Sequence, residues 1–103
     1  MAKREVIEIL KKYLLLLQAE GISVDKAFLY GSYLSDSARD ESDIDLMIVT
    51  ENEENDNLVG KIWSLTKKVN SKIEPYLVGK KRFYSDENSP LIDIVKKTGL
   101  EIT

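Results

Sequence analysis

Two carboxylates and a glycine-serine pair in the middle of the chain have the types and spacing of a site for phosphate and metal. Gly31 and Ser32 end an apolar run at 27–30, and ten residues separate them from the pair Asp43 and Asp45. Side chains alternate along a strand, so Asp43 and Asp45 are predicted to point the same way. Two like charges held side by side repel, and a cation between them relieves the repulsion. Hard carboxylate oxygens on one face favour Mg²⁺.

The glycine-serine pair supplies a complementary place for an anion. Gly31 has no side chain, so a phosphate can approach the backbone there. Ser32 offers a hydroxyl and, where a helical turn follows, backbone N–H groups that point at an anion. Carboxylates on one strand and a phosphate cradle at the end of its neighbour predict a nucleotide site.

A third carboxylate, Glu74, lies in the apolar segment Lys72–Val78. One interpretation places Glu74 on the exposed face of an edge strand, and Pro75 favours an edge. The other gives Glu74 a function, since an unpaired charge inside a strand is costly. The cations at 80–82 are open to two similar interpretations, a solvated turn or a contact with phosphate or a partner. The residues alone do not decide between these alternatives.

The spacing of Gly31, Ser32, Asp43 and Asp45 resembles the signature of the DNA polymerase β-like nucleotidyltransferase superfamily. The length is similar to that of its minimal nucleotidyltransferase (MNT) branch. The resemblance implies transfer of a nucleoside monophosphate from a nucleoside triphosphate, with ATP favoured, to a hydroxyl of a protein or small molecule. It also implies two Mg²⁺ ions held by Asp43, Asp45 and Glu74, with Glu74 as a candidate base. Gly31 and Ser32 would hold the triphosphate.

One departure and one absence qualify this expectation. Relatives usually have glycine where this chain has Asp36, which predicts a differently shaped loop and weakened catalysis. Larger relatives carry a second domain, and at this length none is expected. MNT proteins are commonly paired with a helical HEPN toxin, so the resemblance implies AMP transfer to such a partner. The alternative is an antitoxin or binding module, non-catalytic or weakly catalytic, that neutralises its partner.

Composition narrows the remaining choices. At 103 residues the chain is expected to form a single domain, 1–103. Fifteen basic and 18 acidic residues give a net charge of −3, which disfavours nucleic acid as a partner. The absence of cysteine and histidine excludes thiol and imidazole chemistry. No apolar run is long enough for a membrane span, so a cytoplasmic protein is predicted. The oligomeric state, including a homo-oligomer, is left open.

Periodicity predicts a small mixed α/β (α+β) sheet of about three to four strands, packed with one layer of helices. Gly21 should end the first helix, and Asn55 or Asp56 should cap the second. Ser89 and Pro90 should begin the last helix. The predicted helices are Lys3–Ala19, Asn57–Asn70 and about Pro90–Thr98. The predicted strands are Lys26–Tyr30, Asp43–Thr50 and Lys72–Val78, with loops or turns at 32–42, 51–57, 79–82 and 86–89.

Overall fold

The chain folds around a four-stranded mixed sheet, and the computed structural model describes residues 1–52, 54–85 and 89–102. The helices are α1 (Lys3–Ala19), α2 (Asp56–Thr66), α3 (Lys80–Phe83) and α4 (Pro90–Thr98). The strands are β1 (Lys26–Tyr30), β2 (Ile44–Thr50), β3 (Ile73–Gly79) and β4 (Leu100–Glu101). The strand order is β3-β2-β1-β4, with β2 and β3 parallel and the other pairs antiparallel. The predicted small α+β fold is confirmed.

Helices cover both faces of the sheet, so the predicted single layer of helices is wrong. On one face, Leu29 and Leu46 pack in a cluster with residues of α1 and α2. On the other face, Phe28 and Met47 pack with residues of α3 and α4. Adjacent strand residues point to opposite faces, and the central strands are apolar at nearly every position. Both faces therefore need cover.

The first helix has the predicted bounds and the predicted end. Gly21 adopts a φ of +82°, the left-handed conformation that ends many helices. The Ile22 amide then donates to the Leu17 carbonyl at 3.0 Å, which satisfies a carbonyl of the last turn. No helix in the described ranges has the length and apolar character needed to cross a membrane.

The second helix has a predicted cap, begins one residue before its predicted start and ends early. The Asn55 side chain accepts a hydrogen bond from the Leu58 amide at 2.8 Å, so the first of the two predicted caps is confirmed. The helix ends at Thr66, before the predicted Asn70. The Val69 amide donates to the Thr66 carbonyl at 3.0 Å, a bond between residues three apart. The chain has tightened into turns there, although the apolar spacing continues.

The segment predicted as a turn at 79–82 is instead the start of α3. Its last residue, Phe83, is buried and stacks on Phe28 with ring centroids 5.6 Å apart. The sequence alone did not indicate this buried contact. It holds the basic segment in a helical turn against the sheet.

The last helix and the tail complete the second face. The Ser89 side chain accepts from the Ile92 amide at 3.3 Å and Pro90 is the first helical residue, both as predicted. The tail forms β4, which pairs with β1 and brings the Ile102 amide 2.8 Å from the Ala27 carbonyl. The predicted loop at 86–89 falls mostly on residues 86–88, which lie outside the described ranges, as do residues 53 and 103.

Candidate active site

Three carboxylates stand at the amino ends of two parallel strands. β2 begins at Ile44, one residue later than predicted, so Asp43 directly precedes the strand. Asp45 lies opposite Glu74 in the register of β2 and β3. Paired residues on adjacent strands point to the same face, so Asp45 and Glu74 share one face of the sheet. β3 is an edge strand and Glu74 is exposed, as the edge interpretation predicted.

The charges of these carboxylates act on one another. A hydrogen bond between the carboxyl groups of Glu74 and Asp43 raises the pKa of Glu74, and the nearby charges of Asp43 and Asp45 raise it further. Burial raises the pKa of Asp45, and the charge of Asp43 adds to that rise. The ionised forms of Asp45 and Glu74 are therefore disfavoured, and a bound cation would stabilise them.

The donor chemistry of this cluster fits Mg²⁺, because all its ligand atoms are carboxylate oxygens. Within residues 1–52, 54–85 and 89–102, however, no three such side chains converge closely enough to hold a metal ion as they stand. The raised pKa of Glu74 nonetheless reflects the proximity of Asp43 and Asp45.

The backbone at Gly31 lies directly against the carboxylate of Asp45. Gly31 has a φ of +79°, and a Cβ atom there would overlap Asp45 Oδ2. Only glycine combines this conformation with this approach. The Leu34 and Ser35 amides both donate to the Gly31 carbonyl at 3.1 Å, so the predicted helical turn after Gly31 is present. Ser32 is half-buried at its start.

The aspartate expected to reshape this turn is accommodated in it. Asp36 has a φ of +59°, a left-handed conformation that glycine adopts freely and that aspartate adopts more readily than most residues. Its side chain is 78% exposed and lies 3.3 Å from Lys3 Nζ. The backbone conformation expected of a glycine is therefore kept, and the added charge is paired with Lys3 at the surface.

Tyr30 is a site residue that the sequence analysis did not single out. It lies opposite Asp45 in the antiparallel register of β1 and β2, and therefore beside Glu74 one strand further on. Burial and the charges of Asp45 and Glu74 raise the pKa of Tyr30 to about 12. The phenol keeps its proton at ordinary pH and remains a hydrogen-bond donor. Its place next to Gly31 was visible in the sequence, but the register was not.

The basic residues at 80–82 lie at the other end of the sheet. They follow the carboxyl end of β3 and border a groove of about 490 Å³. Lys80 pairs with Glu51 at 3.1 Å, and Arg82 pairs with Glu54 at 3.2 Å. These ion pairs satisfy two of the three cations, which favours the interpretation as a solvated segment over a phosphate contact.

One family model matches the chain over nearly its whole length. The model for the polymerase beta nucleotidyltransferase domain matches residues 5–98. The matched range contains the glycine-serine turn and all three carboxylates of the candidate site. No curated protein matches the chain.

Proposed function

The chain belongs to the polymerase beta nucleotidyltransferase family, and from this premise we propose that it moves a nucleoside monophosphate from a nucleoside triphosphate to a hydroxyl acceptor. The observation that carries the proposal is the placement of Asp45 opposite Glu74 and in contact with the position that a Gly31 Cβ would take. This arrangement supports a phosphate cradle and metal ligands within one site. We take residues 1–103 as one nucleotidyltransferase domain.

Each residue has a role that its position supports. The bare backbone of Gly31 and the hydroxyl of Ser32 would bind the triphosphate. Asp43, Asp45 and Glu74 would hold Mg²⁺. When bound, Mg²⁺ neutralises phosphate charge and lowers the pKa of the acceptor hydroxyl.

The transfer step is an in-line displacement at the α-phosphorus. The acceptor oxygen forms a bond to the α-phosphorus while the bond from that phosphorus to the bridging oxygen breaks, and pyrophosphate leaves. The proton of the acceptor hydroxyl passes to Glu74, acting as a carboxylate base.

The first experiment is calorimetric titration of ATP, GTP, CTP and UTP with and without Mg²⁺. We expect Mg²⁺-dependent binding of at least one nucleotide, with ATP favoured and a dissociation constant of about 1 μM to 1 mM. The double variant Asp43→Asn with Asp45→Asn should lose it. Glu8→Gln, an exposed carboxylate on α1, is the matched control and should bind as the wild type does. Equal binding by the double variant would contradict the assignment of the site.

Transfer itself needs a separate measurement. With a triphosphate labelled at its α-phosphate, we expect label on protein or on a small acceptor and release of pyrophosphate. Asp43→Asn should abolish both while leaving the unfolding midpoint within a few degrees of the wild type, because Asp43 is exposed. Unchanged turnover in this variant would reject the mechanism.

A second candidate function is a binding module that neutralises a partner. Trp63 is 43% exposed and Val59, four residues earlier on α2, is 37% exposed, so two large apolar side chains share one helix face. Tryptophan contributes strongly at protein interfaces. A pure binder should neutralise its partner with Asp43 and Asp45 replaced and fail with Trp63→Ala. An enzyme should lose its function when Asp43 and Asp45 are replaced and keep it in Trp63→Ala. The MNT subtype, a HEPN-type partner and a cytoplasmic location stay predictions.

A further inference from the structure

We infer that two lysines distant in sequence, Lys3 and Lys72, hold the linker at 32–42 and thereby position Asp43 beside Asp45 and Glu74. This inference rests on the proposed function, because it concerns the geometry of the same site. The linker joins the turn after Gly31 to Asp43, and Asp43 lies just outside β2. The position of Asp43 therefore depends on the linker as well as on the sheet.

Lys3 holds the first half of the linker. It is the first residue of α1, and its Nζ donates to the Leu34 carbonyl at 3.0 Å. The same ammonium lies 3.3 Å from Asp36 Oδ1, so it also pairs with the residue of left-handed conformation. Lys3 thus ties the turn that follows Gly31 to the start of α1, and adds to the packing of Tyr33 and Leu34 in the core.

Lys72 holds the second half. It directly precedes β3, the strand of Glu74, and its Nζ donates to the Asp40 carbonyl. Its own carbonyl accepts from the Ile44 amide at 2.8 Å. Lys72 therefore contacts the chain on both sides of Asp43, and it does so from a point two residues before Glu74.

The linker has internal bonds, but they are local. The Ser37 amide donates to the Ser32 carbonyl at 3.0 Å, and the Ser42 amide donates to the Arg39 carbonyl at 2.9 Å. These bonds shape two turns without attaching them to the rest of the fold. Arg39, Asp40 and Glu41 are exposed, so apolar burial ends at Ala38, which packs against the core, and does not fix these three residues. A charge-assisted bond from Lys72 is the contact that can.

Lys72→Met tests this contact, because it removes the ammonium and keeps most of the aliphatic stem. Lys72→Arg keeps a cationic donor, and Lys12→Met, an exposed lysine of α1, is the matched control. Hydrogen exchange should show the Ser42 amide exchanging about tenfold faster in Lys72→Met, since loss of a bond to a charged group weakens local structure. Lys3→Met should have the same effect on the Ser37 amide. Lys72→Arg should restore most of the protection, and Lys12→Met should match the wild type.

The second readout is the Mg²⁺ concentration that half-saturates nucleotide binding, which a merely stabilising residue would not move. Groups behind metal ligands commonly change metal affinity by 10–100-fold, so we expect an increase of about tenfold in Lys72→Met and a further increase with Lys3→Met added. Lys72→Arg should return the value toward that of the wild type.

The outcomes separate the two proposals. Unchanged exchange in Lys72→Met overturns the positioning role, whatever the nucleotide data show. Faster exchange with unchanged Mg²⁺ dependence also overturns it, provided that the wild type binds and Asp43→Asn does not. Absence of Mg²⁺-dependent binding in the wild type rejects the proposed function itself, and the positioning role with it. Both proposals are supported if Lys72→Met exchanges faster and needs more Mg²⁺ for nucleotide binding, and if Lys72→Arg restores both values.

Discussion

At the scale of single residues, Gly31 carries two separate constraints. Its φ of +79° favours glycine, and its Cα lies so close to Asp45 that a Cβ would overlap the carboxylate. Gly21 has a similar φ of +82°, but no heavy atom lies within 4 Å of the position that a Cβ would take there. Comparing the same substitution at Gly31 and at Gly21 therefore separates the effect of backbone strain from that of contact with Asp45.

We predict that Gly31→Ala and Gly21→Ala both destabilise the fold by about 1–2 kcal/mol through strain in the left-handed region. Gly31→Ala should cost more, because Asp45 must also move, and it alone should weaken Mg²⁺-dependent nucleotide binding. Chemical denaturation and calorimetry on both variants check this. Equal nucleotide binding by the two variants would show that the approach of Gly31 to Asp45 has no functional meaning.

Asp36 offers a second test of backbone conformation. With a φ of +59°, it should tolerate glycine better than a β-branched residue. We predict that Asp36→Gly is more stable than Asp36→Val by at least about 1 kcal/mol, measured by denaturant unfolding. Asp40, exposed in the same linker and not among the residues of positive φ, is the control site. At Asp40 the glycine variant should have no advantage over valine, and the same advantage there would contradict the explanation.

At the scale of elements, a buried tyrosine joins the two helices of one face. The Tyr13 hydroxyl of α1 donates to the Ile62 carbonyl of α2 at 2.6 Å, and burial raises the pKa of Tyr13. Tyr33 is also buried, but its hydroxyl has no hydrogen-bond partner among the described residues. The two tyrosines are alike in burial and differ in whether their hydroxyl is satisfied.

We predict that Tyr13→Phe lowers the free energy of unfolding by about 1–2 kcal/mol, because the bond is lost and the site stays buried. Tyr33→Phe should leave the stability unchanged or raise it, since it removes a polar atom that is buried without a partner. Thermal and urea unfolding of both variants would check the difference. A larger loss in Tyr33→Phe would mean that a water or ion satisfies its hydroxyl.

Elements with strong local signals were predictable from the sequence. The α1 stripe ending at Gly21, the cap at Asn55 and the start of α4 at Pro90 are each encoded within a few residues. Elements that depend on distant contacts were not. α3 forms because Phe83 is buried against Phe28. β4 forms by pairing with β1 on the side away from β2. Neither partner is near in sequence.

The same distinction applies to the candidate site. Gly31, Ser32, Asp43 and Asp45 follow from one local pattern, and Glu74 from a charge in an apolar strand. The place of Tyr30 opposite Asp45 depends on strand register, and the bond from Lys72 to the Asp40 carbonyl joins residues far apart in the chain. One sequence does not reveal register, so these residues could be found only in the structure.

At the scale of the whole molecule, the ionised carboxylates of Asp45 and Glu74 lower the stability of the metal-free fold. Asp45 and Glu74 have raised pKa values because burial, a hydrogen bond and like charges disfavour their ionised forms. The folded state therefore binds protons more tightly at these positions than the unfolded state does. By linkage, the stability contributed by this cluster falls as the pH rises from about 4 through the folded pKa values.

We therefore predict that Asp45→Asn with Glu74→Gln makes the metal-free protein more stable than the wild type at pH 7. The difference should shrink as the pH falls below about 4, where both states of the wild type are protonated. Mg²⁺ and nucleotide should reverse the order, adding about 2.7 kcal/mol to the wild type at a hundredfold excess over the dissociation constant. Thermal unfolding with EDTA or Mg²⁺-nucleotide checks both, with Glu8→Gln behaving as wild type. A double variant less stable than the wild type in EDTA would show that the carboxylates support the fold rather than a ligand.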